Sequence, residues 1–119
     1  MKPKPTAVVV DDVEAVGQVS CRLLDKLGYQ TTLFQNPIEA LGYLGACGRL
    51  DVLLTDHDMP EIAGLQMARR AKEANPDIRQ IIIVCGMADD LMPERASLCG
   101  FEFLEKPFRA HELARKIKP

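Results

Sequence analysis

Five short runs of apolar, largely β-branched residues alternate along this chain with segments whose apolar residues recur at helical spacing. Thr6 to Val10, Thr31 to Phe34, Val52 to Thr55, Ile81 to Val84 and Phe101 to Leu104 read as strands. Runs this short with little polar alternation suit strands buried on both faces. Between them, Val16, Val19, Ser20, Leu23, Leu24 and Leu27 predict a first helix from Val13 onward, and Ile38, Leu41 and Leu44 the inward face of a second. Asn36 and Pro37 supply a side-chain cap and a proline at the first helical position of that second helix. Leu65 to Ala74, Met92 to Cys99 and Ala110 to Ile117 complete the set, with Asp90 available to cap the fourth helix. Gly28 and Gly100 stand where a helix ends on a left-handed residue. Strict alternation of strand and helix requires right-handed crossovers, so the expected fold class is α/β: a doubly wound, five-stranded parallel sheet with five helices covering both faces.

The chain has 119 residues, 47% of them hydrophobic, which is one domain's worth, residues 1–119, with a Lys-Pro-rich tail over residues 1–5. Fifteen basic against 17 acidic side chains leave a net charge of -2, so no global positive field favours nucleic acid. The longest apolar runs are far too short to span a membrane. Cys21, Cys47, Cys85 and Cys99 are widely spaced without a C-x-x-C pair, which suits reduced thiols in a cytoplasmic protein.

A doubly wound sheet binds its ligands at the carboxyl ends of the strands, where chain order reverses. That rule brings together Asp11 and Asp12 after the first strand, Asp56 and Asp58 after the third, Cys85 and Gly86 after the fourth, and Lys106 after the fifth. An acid at a strand end is often only a cap, but two adjacent acids exceed what one cap needs. Carboxylates crowded on one rim each raise the cost of ionising the next, so a cation must join them. Oxygen-only donors select a hard ion such as Mg2+, and neither His57 nor His111 is placed to build a zinc site. Lys106 adds a fixed positive charge, and an incoming anionic group would find both beside Asp56.

The Asp11-Asp12 pair, the stretch Asp56-His57-Asp58-Met59-Pro60 followed by Gly64, and Lys106-Pro107-Phe108 resemble, in order and in strand position, the receiver domain of two-component response regulators. The resemblance covers almost the whole chain and implies the flavodoxin-like receiver fold. It implies that Asp56 is the phosphoacceptor, taking its phosphoryl group from the phosphohistidine of a sensor histidine kinase or phosphotransfer domain. It further implies that Asp12, Asp56 and the backbone carbonyl of Asp58 ligate Mg2+, with Asp11 acting through bound water, and that the Lys106-Pro107 peptide bond is cis. Phe103 stands at the family's switch position, on a surface of the fourth helix, fifth strand and fifth helix where an effector domain or downstream protein would read the state. Such a domain catalyses its own modification and turns over no separate substrate.

Two positions depart from the family. Cys85 replaces the Thr or Ser that holds the phosphoryl group at the end of the fourth strand, and a thiol is the weaker donor. Phe103 lacks the hydroxyl that a tyrosine would offer. Cys85 also supports an alternative reading, a pseudo-receiver that signals by interaction without phosphorylation. A D-x-D phosphatase, prompted by Asp56-His57-Asp58, would need further motifs for which the chain has no room. The short final helix favours a piece of a larger regulator or kinase over a complete single-domain protein.

Overall fold

The structure, a computed structural model, describes residues 3–86 and 91–117. Its elements alternate as expected: β1 (Thr6–Val10), α1 (Glu14–Lys26), β2 (Gln30–Phe34), α2 (Pro37–Ala46), β3 (Leu50–Asp56), α3 (Gly64–Ala74), β4 (Ile78–Cys85), α4 (Met92–Leu98), β5 (Glu102–Glu105) and α5 (Ala110–Lys116). All strand pairs are parallel, in the order β2-β1-β3-β4-β5. Chain order therefore reverses between β1 and β3, at the centre of the sheet, which is where such a fold opens a crevice.

Alternate residues of each strand feed two cores. Val8, Val10, Leu53, Ile81 and Ile83 pack with Ala40 and Leu44 of α2, Met67, Ala68 and Ala71 of α3, and Ala96 of α4. Ala7, Val9, Val52, Leu54, Ile82, Val84 and Leu104 point the other way, onto Leu24 of α1 and Leu113 of α5. Both faces are covered, so the continuous apolar runs have the burial they require.

Two helix faces differ from expectation. α1 buries Gly17, Ser20 and Leu24, leaving Val19 52% exposed and Val16 36%. Gly17 lies against Leu33 of β2, and this close approach turns the helix so that its valines face sideways. In α2, Pro37, Ala40 and Leu44 are buried while Ile38 is 55% exposed. The start of α2 is as its sequence indicates, Asn36 Oδ1 accepting from the N–H groups of Ile38 and Glu39 at 2.8 and 3.2 Å. Asp90, the expected cap of α4, lies outside the described residues. Gly28 and Gly100 both adopt positive φ.

Candidate functional site

Val10 pairs with Thr55 in the β1–β3 ladder, so the acids that follow these two strands emerge side by side. Asp11 and Asp56 are buried and Asp12 half-buried. Each of the three offers an oxygen within 4.8 Å of the others. Lys106 reaches over from β5, its Nζ donating to Asp56 Oδ1 at 3.0 Å and to Asp11 Oδ2 at 3.5 Å. The Lys106-Pro107 peptide bond is cis.

The backbone under Asp56 is held from several sides. The Thr55 hydroxyl, fully buried, donates to the Asp56 carbonyl at 3.1 Å. His57 N–H donates to the Val84 carbonyl at 2.7 Å, and the N–H groups of Met59 and Gly64 both donate to the His57 carbonyl. Gly64 is required there, since a Cβ on it would lie 2.3 Å from the Asp56 carbonyl oxygen. The His57 ring is directed to the start of α3, Nδ1 accepting the Leu65 N–H at 3.3 Å.

The electrostatics of the cluster are unbalanced. Burial pushes the Asp11 carboxyl above the ordinary aspartate range, and the nearby Asp56 charge adds to the rise, against the opposing Val13 N–H and Lys106. Burial pulls the Lys106 ammonium down, but its hydrogen bonds and attraction to Asp56 and Asp11 outweigh this, and its pKa lies above the usual lysine value. Three carboxylates against one ammonium leave two negative charges in a largely enclosed space. Asp12 Oδ1 is buried and has no hydrogen-bond partner among the described residues. An orphaned carboxylate oxygen is costly unless something cationic meets it. The uncompensated charge, the all-oxygen donor set and the orphaned oxygen together fit a hard divalent cation.

Asp58 is placed differently from the other acids. Its side chain is not in the three-carboxylate cluster; Oδ2 accepts from the Gly86 N–H at 3.2 Å and lies 3.5 Å from Cys85 Sγ. The sequence places Asp58 at the rim but gives no sign of this cross-strand partnership. Cys85 itself is 1% exposed, with its thiol turned to the rim rather than into either core. Phe103 is half-buried and packs against the core on the α3 side. Beside Lys106, a 400 Å³ groove is lined mainly by Val16, Val19, Leu23, Pro107 and Phe108. The exposed valines of α1 thus form one wall of an apolar groove next to the charged cluster.

Residues 7–118 match the response regulator receiver domain family. The chain belongs to that family. Among similar proteins, the response regulator receiver protein CpdR of Brucella abortus (strain 2308) is 32% identical over 111 residues, covering 93% of this chain and 92% of CpdR. The sensor kinase CckA of the same organism is 32% identical over 115 residues; these cover 95% of this chain, which spans only 12% of the kinase's length. A response regulator protein from Burkholderia pseudomallei, crystallised with a phosphorylated aspartic acid, calcium ion and citrate, superposes with a TM-score of 0.84 at 23% identity, over 96% of this chain and 66% of that one. This receiver domain therefore has the fold that its three motifs imply. Among its described residues no helix is long and apolar enough to cross a membrane.

Proposed function

We propose that this receiver domain accepts a phosphoryl group on Asp56 from the phosphohistidine of a sensor histidine kinase or phosphotransfer protein, and that it catalyses this step itself. The observation that carries the reading is Asp56, buried at the end of β3, 3.0 Å from Lys106 Nζ and within the three-carboxylate cluster. A carboxylate oxygen of Asp56 attacks phosphorus, the P–N bond breaks, and its electron pair leaves with the donor imidazole. Lys106, fixed between Asp56 and Asp11, neutralises charge on the phosphoryl oxygens as they pass. Asp12, Asp56 and the backbone carbonyl of Asp58 would hold Mg2+, with Asp11 bound to it through water. When bound, the ion supplies a divalent charge that offsets the carboxylates and the phosphoryl oxygens.

The groove beside Lys106 supports a docking place for the donor, because its floor is continuous with the acceptor's own lysine. An apolar helical face carrying the phosphohistidine is the occupant that fits, since burying Val16, Val19 and Phe108 favours an apolar partner. The state is read at α4, β5 and α5, where Phe103 turns further inward once Asp56 carries the phosphoryl group.

Acetyl phosphate with Mg2+ tests the reading. Intact mass should rise by one phosphoryl group, Asp56→Ala should abolish the rise, and amide exchange along Phe101 to Leu104 should change on labelling. Undiminished labelling of the variant would remove Asp56 from its role. Absence of labelling in the wild type would leave a pseudo-receiver, and rapid turnover of the donor a phosphatase.

A further inference from the structure

The end of β4 carries the second half of the rim. Asp56 pairs with Val84, so Cys85 and Gly86 extend just beyond the acceptor. The Cys85 carbonyl accepts the Lys106 N–H at 2.9 Å, on the β5 side. In a trans peptide the C=O and the following N–H point in opposite directions, so the Gly86 N–H faces β3 and the acceptor. Among the described residues, this N–H and the Cys85 thiol are the donors on the β4 side that a phosphoryl group on Asp56 would meet. In the structure both converge on one carboxylate, with Asp58 Oδ2 3.2 Å from the Gly86 nitrogen and 3.5 Å from Cys85 Sγ.

We propose that the Asp58 carboxylate is a resident anion at the end of β4, holding the Gly86 N–H and Cys85 S–H until a phosphoryl group displaces it. The inference rests on Asp56 being the acceptor. Two effects oppose loading while Asp58 stays. The donors are already satisfied, and the carboxylate lies where it repels the incoming oxygens. Asp58 is otherwise exposed, with open solvent into which its side chain can swing. Its backbone carbonyl, the part assigned to Mg2+, is untouched by this motion. Asp58 is thus a positioning residue that sets the threshold for loading and the readiness of the site to reset.

This resting contact also accounts for how Cys85 can replace a hydroxyl. A stronger donor at position 85 would tighten the resting contact as well as the loaded one, so the two gains would offset each other. With Asp58 removed, only the loaded contact would remain to benefit.

Beryllofluoride titration at saturating Mg2+ tests the proposal, together with amide exchange of Gly86 in the unliganded protein. Asp58→Ala should speed Gly86 exchange and tighten beryllofluoride about fivefold, the range expected when a charged competitor for one hydrogen bond is removed. Asp58→Asn, which keeps an acceptor oxygen but not the charge, should fall between. Cys85→Thr should change affinity by less than about twofold alone and by about fivefold in the Asp58→Ala background. Unchanged or weaker beryllofluoride binding by Asp58→Ala, with wild type still binding, would overturn the proposal while leaving the acceptor intact. If neither protein binds, the acceptor assignment fails instead, and an unaltered Gly86 exchange rate would then overturn the resting contact as well.

Discussion

Gly64 owes its identity to the atoms behind it. An added Cβ would meet the Asp56 carbonyl oxygen at 2.3 Å and His57 Cα at 2.7 Å, both backbone atoms with no rotamer to yield. Overpacking of this kind costs about 1–3 kcal/mol. Gly64→Ala should therefore lower urea stability by about 2–3 kcal/mol, in the upper part of that range because the clash is with main chain. A loss within a few tenths of a kcal/mol would mean that the start of α3 can move away from β3 freely. Gly17 provides the contrast, since its tightest neighbour is the Leu33 Cδ1 methyl, which can rotate. From sequence, Gly64 enters as part of the receiver motif, without the physical reason for it. Its real constraint is a contact between the end of β3 and the helix that follows, which no single-residue property reports. Asp11, Asp56 and Lys106 were legible because strand-end position alone brings them together. The Asp58 contact was not, because it depends on which of two neighbouring loops a short side chain leans toward.

Among the elements, α2, α3 and the approach to β4 are tied by one side chain. Asn75 is buried, donates through Nδ2 to the carbonyls of Leu44 and Gly48 at 2.9 and 2.6 Å, and accepts the Asp77 N–H at 3.0 Å. It holds the last turn of α2 against the end of α3. Asn75→Ala would leave the buried Leu44 carbonyl without this donor, at a cost of about 2 kcal/mol in a denaturant melt. Asn75→Asp should be worse, because a carboxylate would face two carbonyl oxygens. If the aspartate variant were as stable as wild type, the amide bonds would not be what joins these elements. The amide's reach to Leu44, 31 residues away, is a tertiary fact that no local sequence pattern reports. The ladder likewise lengthened β3 and β4 beyond their apolar runs, Leu50 pairing with Ile78 across Asp51, Arg79 and Gln80. The helix faces slipped for a related reason. Periodicity shows that α1 is amphipathic, but a small residue at Gly17 decided which stripe could approach the sheet.

At the scale of the whole molecule, the site exists only because β1, β3 and β5 deliver their ends to one rim. The unfolded chain has no such cluster, so a cation that binds it must stabilise the fold. At a hundred times its dissociation constant, Mg2+ should add about 2.7 kcal/mol. Asp12→Asn should forfeit most of that gain while raising the melting temperature of the metal-free protein, because it removes one of three crowded charges. A metal-free variant that melts below wild type would show that repulsion is not what strains the resting site. The alternation of elements, the sheet direction and the rim were all readable in advance. The groove was not, because it arises from the sideways turn of α1 against a loop ninety residues away, about Lys106.

That groove has a kinetic meaning. On the proposed docking, a donor seated along Val16, Val19 and Phe108 would bring its phosphohistidine beside Lys106, which bonds Asp56, and the transfer would become effectively intramolecular. Tethering of this kind gives local concentrations of about millimolar or more. A small-molecule donor must reach the same level in bulk solution. Val19→Glu should therefore slow transfer from a phosphohistidine protein by a larger factor than transfer from acetyl phosphate, and equal slowing of both would place the donor elsewhere. A cell holding many phosphorylated metabolites and few molecules of the partner would, on this geometry, still address Asp56 mainly through the partner.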